Sequence, residues 1–335
     1  MKHALILLAV PGLTACSLFG SLSEEEQRQV DTHRSGAGLY FNARQYEKAI
    51  DQAEKGLRIK PNDYDLRQRL GWAYIELAAQ KKANNHQHLR IAEQLFAKLV
   101  DTRRVEDHDP RTIYGYAKTL WMQARVRGDI AEQLRREAKQ PDANAGALRA
   151  QADEHERRSK AYLADAERWF TTLAKGDASG RGNRRDAYKY LMLIKYCQGD
   201  VKTALRNGEQ ALAINAEETK NWKAKYERTQ VVDYERLVRN ELAQLEREEV
   251  AIRRKLAAYL TETKEWKKAV EQLDAILTMK PNSFGDYYER GVCHRALNDH
   301  VAATRDFRKF LQLGNLSQDS PYVKDAYRYL NDGGK

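Results

Sequence analysis

Few residues in this 335-residue chain carry reactive chemistry. Cys16 follows Leu13, Thr14 and Ala15. A thiolate is a strong nucleophile, and small residues just before it suit a protease subsite. Cys197 and Cys293 sit far apart in apolar stretches of helical spacing. Both read as buried free cysteines, which pair only if their helices touch. His86 and His88 stand two positions apart, the wrong step for one helix face. No Cys or carboxylate pattern completes a metal set there. Asp107-His108-Asp109 before Pro110 reads as a turn leading into a helix, and His294 as a packed core histidine. The glycine-rich residues 176–183 lack the Gly-Lys-Ser/Thr ending of a phosphate loop and have no strand before them. They read as a flexible connection between hairpins. No catalytic set, metal or cofactor is expected, and the chain reads as a non-enzyme.

The elements that must position these residues are helices. Only 6 prolines and 19 glycines interrupt the chain, so helix breakers are scarce. Charged residues make up 32%, which suits a thin helical stack with much surface per residue. The net charge of +10 admits an acidic partner, an anionic surface or nucleic acid. Along residues 124–160 and 230–255, however, basic residues alternate with acidic ones, as on a solvated helix face. No basic run interleaved with aromatics appears, so nucleic acid is not an expected partner.

Residues 1–15 read as a targeting segment. Lys2 and His3 precede an apolar run over 4–10, too short to span a bilayer, and Pro11-Gly12 breaks it. Leu13-Thr14-Ala15-Cys16 resembles the lipobox of bacterial lipoproteins. That resemblance implies cleavage before Cys16 and lipidation of its thiol, which makes a durable anchor. Ser17 is not the Asp that favours inner-membrane retention in that family. The resemblance therefore implies a protein anchored in the outer membrane, facing the periplasm.

The body repeats itself. Tyr40, Ala49 and Pro61 mark one unit; Ala269, Leu273, Ile276, Leu277 and Pro281 repeat its end, and Lys60-Pro61-Asn62 reappears as Lys280-Pro281-Asn282. Leu70, Gly71 and Tyr74 precede Ala92 and Phe96 across an insertion around 81–88. Ala166 with Phe170, Leu191 with Gly199, Ala204 and Ala211, and Gly291 with Ala303 and Phe307 extend the pattern. This resembles the tetratricopeptide repeat (TPR), and implies an all-α solenoid of antiparallel helix pairs. Six units are expected, four clear and two irregular. Gly and Ala stand where helices approach, and aromatics fill the gaps between hairpins.

The expected organisation is a signal peptide at 1–15, a lipidated tether at 16–29 and repeats at 30–123. An insertion with the second helix of the third repeat follows at 124–184. Further repeats occupy 185–315, with a long helix at 219–260, continuous or broken near 220–228, and a capping helix and tail end the chain at 316–335. Val238, Leu242, Leu245, Ile252 and Leu256 form the stripe of that long helix, interrupted by Glu249. Two arrangements stay open. The two excursions pack on each other within the chain, or they contact a partner or a second subunit.

In the resembled family, first helices line a groove that holds ligand peptides. Carried over, the groove positions are Arg34, Phe41, Asn42, Gln68, Trp72, Glu76, Lys189, Tyr196, Arg254, Tyr288 and Arg295. Their aromatic and mostly basic character suits an acidic or helical protein segment. The carboxylate clamp of some chaperone-binding members is not reproduced. The expected function is an envelope adaptor or scaffold, with a pilotin-like assembly factor preferred. The alternative is a permanent subunit of a large motility or secretion machine.

Overall fold

A computed structural model describes residues 22–80, 85–100, 109–140, 144–176, 181–228 and 232–332, without the side chains of 181 and 182. The lipobox and the signal segment lie outside these residues. So do half of the insertion at 81–88, the centre of the Gln140–Asn144 turn and half of the glycine-rich connection.

The chain divides into two compact units, Met1–Asp107 and His108–Lys335. In the first unit, α1 (Glu24–Asn42) pairs with α2 (Tyr46–Ile59), and α3 (Tyr64–Gln80) with α4 (Asn85–Val100). In the second, α5 (Pro110–Glu137) pairs with α6 (Ala145–Lys175), and α7 (Arg181–Cys197) with α8 (Val201–Arg228). Then α9 (Val232–Glu262) pairs with α10 (Trp266–Met279), and α11 (Phe284–Ala296) with α12 (His300–Leu313). The last helix, α13 (Pro321–Asn331), closes on α12. No strand occurs among the described residues. The architecture is a TPR-like solenoid with long helical insertions, as the repeats imply.

Small residues set the helix spacing. A Cβ on Gly71 would stand 2.7 Å from the Phe96 ring. One on Gly208 would stand 2.6 Å from Leu256. Ala53, Ala92, Ala166, Ala204, Ala211 and Ala303 are all fully buried at the seams. Phe96, Phe170 and Phe307 fill the gaps that these small residues leave. Each hairpin exposes an apolar face until its neighbour covers it, which is why the pairs stack.

The turns repeat too. Between the helices of a pair, Arg44, Gly199, Lys264 and Asn298 adopt positive φ, of 58°, 82°, 62° and 59°. That left-handed step reverses the chain in few residues. Between pairs, Pro61 and Pro281 follow the end of a helix, where a missing N–H does no harm.

Several expectations are corrected. Within the tether expected at 16–29, the first described helix already starts at Glu24. The Ser23 hydroxyl caps the Glu26 amide while Glu26 returns a bond to the Ser23 amide. This Ser-x-x-Glu capping box was legible in the sequence. The expected long helix at 219–260 is two helices, α8 and α9, lying against each other. The two excursions do not pack on one another: α5 packs on α6, and α8 on α9. Each arm thus buries its own stripe. Val238, Leu245, Ile252 and Leu256 are buried and Leu242 only partly. Glu249 turns aside to bond Arg253. Cys197 is exposed at the end of α7, whereas Cys293 is buried. Ser320 precedes α13 without making a side-chain cap bond.

Candidate protein-binding face

The groove positions carried over from the family lie on α1, α3, α7, α9 and α11, five of the six first helices. In the first unit, Arg34, Phe41 and Asn42 lie on α1 and Gln68, Trp72 and Glu76 on α3. Asn42 is exposed and the other five are half-buried. Phe41 packs against Tyr46, with ring centroids 5.5 Å apart. Trp72 meets Phe96 edge-on at 6.0 Å, so part of the indole belongs to the core. Leu39 on α1 is 68% exposed, an apolar side chain open to solvent beside Phe41 in sequence.

Arg34 does not stand free. Its guanidinium donates to Asp63 at 2.7 Å and also reaches Asp31. Asp63 is only 4% exposed and accepts from the Leu66 amide at the start of α3. Burial alone would raise the Asp63 carboxyl. The Leu66 amide, Arg34 and Lys60 outweigh it and hold the group below its ordinary range.

The second unit repeats this arrangement. Lys189 on α7 donates to Glu248 on α9 at 2.7 Å. Burial opposes the Lys189 charge, but Asp186 and Glu248 more than offset it and raise its pKa. Tyr196 on α7 stacks on Tyr259 of α9, centroids 3.6 Å apart, and donates to Glu262. Arg254 on α9 binds Asp286 on α11 through two nitrogens. On α11, Tyr288 donates to Asp325 of α13 at 2.9 Å and Arg295 donates to both its oxygens at 3.2 Å. Burial first, then the Asp325 carboxylate, push the Tyr288 phenol upward.

Six of the eleven positions therefore latch one first helix to the next, or to the helix that closes the stack. Residue types and spacing placed them on the right helices, but their acidic partners were missed. Asp63, Asp286 and Asp325 follow Arg34, Arg254 and Arg295 by 29, 32 and 30 residues. One repeat length was the available signal. Where the long arm intervenes, the spacing stretches to 59 for Lys189 and Glu248, and no periodicity reveals it.

A second feature was not expected. On α11 and α12 of the last hairpin, Arg290, Arg305, Arg308 and Lys309 line an open hollow beside Val301, which is 84% exposed. Arg290 is held there by the fully buried Asp306 at 2.7 Å. Among the described residues no group of His, Cys, Asp or Glu is placed to hold a metal ion. No described helix is long and apolar enough to cross a membrane. His294 is largely buried, near Asp299 and Asp306. The arrangement offers side chains for contact and charge pairing along helix faces.

No protein-family model matches the chain, and no curated protein matches it. Among solved structures, it is similar to the pilF protein of Pseudomonas aeruginosa, at 13% identity and TM-score 0.55. That likeness covers 91% of this chain and 99% of the other. A thermophilic TPR protein of Thermus thermophilus is similar at 16% identity and TM-score 0.43, over 81% of this chain and 98% of that one. The first likeness speaks for the fold alone.

Proposed function

We propose that this chain is a lipid-anchored adaptor that holds other envelope proteins on the periplasmic face of the outer membrane. The single observation that carries the binding role is the repeated stack of paired helices. Such a stack presents consecutive first helices as one kind of surface, suited to a protein segment. The latches support this reading. They fix neighbouring first helices in register, and a preorganised face loses less entropy on binding. Phe41, Asn42 and Trp72 offer apolar and polar contacts near the end of α1 and on α3. Among adaptor roles, a pilotin-like assembly factor remains the preferred one.

The anchor rests on Leu13-Thr14-Ala15-Cys16. An intact-mass measurement on the product purified from cell membranes tests it. The expected mass lacks residues 1–15 and carries acyl groups on Cys16. A product that keeps Met1 and carries no fatty acid removes the anchor from the proposal. Photo-crosslinking from Phe41 and Trp72 in whole membranes tests the adaptor role. A discrete crosslinked protein is expected, and its crosslink from Trp72 is lost when Phe41 is changed to Ser. Crosslinks that never leave the chain itself would sink it.

A further inference from the structure

The arm made by α8 and α9 runs past its neighbours. Arg185, in the second turn of α7, bonds Glu218 at 2.7 Å, so about the last two turns of α8 extend beyond the start of α7. Lys280, just after α10, bonds Glu246, so α9 before that point has no α10 beside it. The end of the arm is held by its own contacts. Tyr226 donates to Glu235 at 3.0 Å, Arg239 donates to the Tyr226 oxygen at 3.0 Å, and Val238 is fully buried.

This end exposes an unusual mixture. Val232 is 78% exposed and Leu237 46%. Tyr226 and Tyr234 are 36% and 37% exposed. Trp222 lies one helical turn before Tyr226, on the same face, with the Lys225 ammonium 4.1 Å from its ring centroid. Residues 220–239 hold six basic side chains and three acidic ones. Two of the acids, Glu235 and Asp233, are already bonded to Arg239 and Arg236 within the arm. Lys220, Lys223, Lys225 and Arg228 dominate what α8 presents at its end.

We infer that the end of the α8–α9 arm is a docking site for an anionic lipid bilayer surface. Tyr and Trp are amphipathic rings that settle at the level of lipid headgroups. Aliphatic side chains such as Val232 and Leu237 enter the acyl boundary beneath them. Lysines around them are drawn to negative lipid. An acidic protein segment would match the charge and the rings. A bilayer matches in addition the exposed aliphatics Val232 and Leu237 at the end of the arm, beyond the stretch of α9 that α10 covers. This contact is separate from the acyl anchor proposed at Cys16, and its test uses no acylated chain.

The experiment is vesicle co-sedimentation with the chain from Ser17 onward, which keeps every described residue. The probes are phosphatidylcholine vesicles with and without phosphatidylglycerol. Binding is expected only with phosphatidylglycerol, and weaker in high salt. Replacing Lys220, Lys223 and Lys225 together by Gln is expected to weaken it about a hundredfold. Val232→Ser with Leu237→Ser should weaken it at unchanged charge. A control replaces Arg305, Arg308 and Lys309 on α12 by Gln, removing the same charge elsewhere, and should leave binding nearly intact. Unchanged thermal unfolding establishes that each variant is folded. Equal loss in the control, equal binding to neutral vesicles, or no vesicle binding alongside capture of an acidic peptide would each overturn the inference.

Discussion

Arg254 and Asp286 form a two-point clasp between α9 and α11, with Nε 2.9 Å from Oδ1 and Nη2 2.6 Å from Oδ2. The carboxylate is nearly buried while the guanidinium is about half exposed. Two parallel bonds fix orientation as well as distance. The clasp therefore sets how far one repeat slides along the next, and Arg34 makes a single-point bond of the same kind to Asp63 at 2.7 Å.

Arg254→Met keeps the aliphatic stem but strands a buried carboxylate. A fully buried orphan charge costs several kcal/mol, and solvent around Arg254 reduces this to about 1–3 kcal/mol. The denaturant midpoint is expected to fall accordingly. Arg254→Lys, which keeps the charge and loses the fork, should fall between. A variant with unchanged stability and reduced partner binding would make Arg254 a ligand contact instead of a latch.

Gly71 is expected to tolerate no branched side chain. The Phe96 ring it faces is fully buried and has no room to retreat. Gly71→Val should cost about 1–3 kcal/mol from overpacking. Combining it with Phe96→Leu should recover part of that loss, giving a measurable coupling in a double-mutant cycle. Strict additivity of the two changes would rule out the close approach.

Acid should loosen the first unit through Asp63. Its folded pKa lies below the ordinary value of 3.8. A depressed carboxyl contributes stability that is fully present above its unfolded pKa. That contribution is lost as pH falls through the folded pKa. The Asp63 contribution is thus constant at neutral pH and declines below about pH 4. Glu167, lowered because Lys195 and Gln198 outweigh its burial, adds a similar acid limb in the second unit. Urea midpoints measured against pH should show a shallower acid limb in Asp63→Asn than in the parent chain. Identical limbs would remove Asp63 as the origin.

Lys264 occupies the left-handed region at φ 62° in the turn from α9 to α10. A Cβ there is unfavourable by about 1 kcal/mol. Lys264→Gly should therefore be neutral to stabilising by up to about 1 kcal/mol, despite the added freedom of the unfolded chain. Lys264→Val should destabilise. Thermal unfolding of the two variants decides it, and the reverse order would contradict the turn geometry.

Much of this protein was legible in its residues alone. Helical class follows from composition and local periodicity, and the pairing and the close-approach positions at Gly71 and Gly291 from the resemblance to the repeat. A side chain's face on a helix depends only on its neighbours within a few residues. The Lys-Pro-Asn turns at Pro61 and Pro281 follow from the same short range. The capping box at the start of α1 is written in four residues, Ser23 to Glu26.

What only the tertiary structure decided is how those helices are offset along one another. The division of 219–260 into two antiparallel helices, and the exposure of Cys197, depend on where a neighbouring helix ends. The pairing of Lys189 with Glu248 depends on the axial stagger of α7 and α9. Stagger is fixed by the sum of many side-chain fits across a seam, and no single stretch of sequence carries that sum.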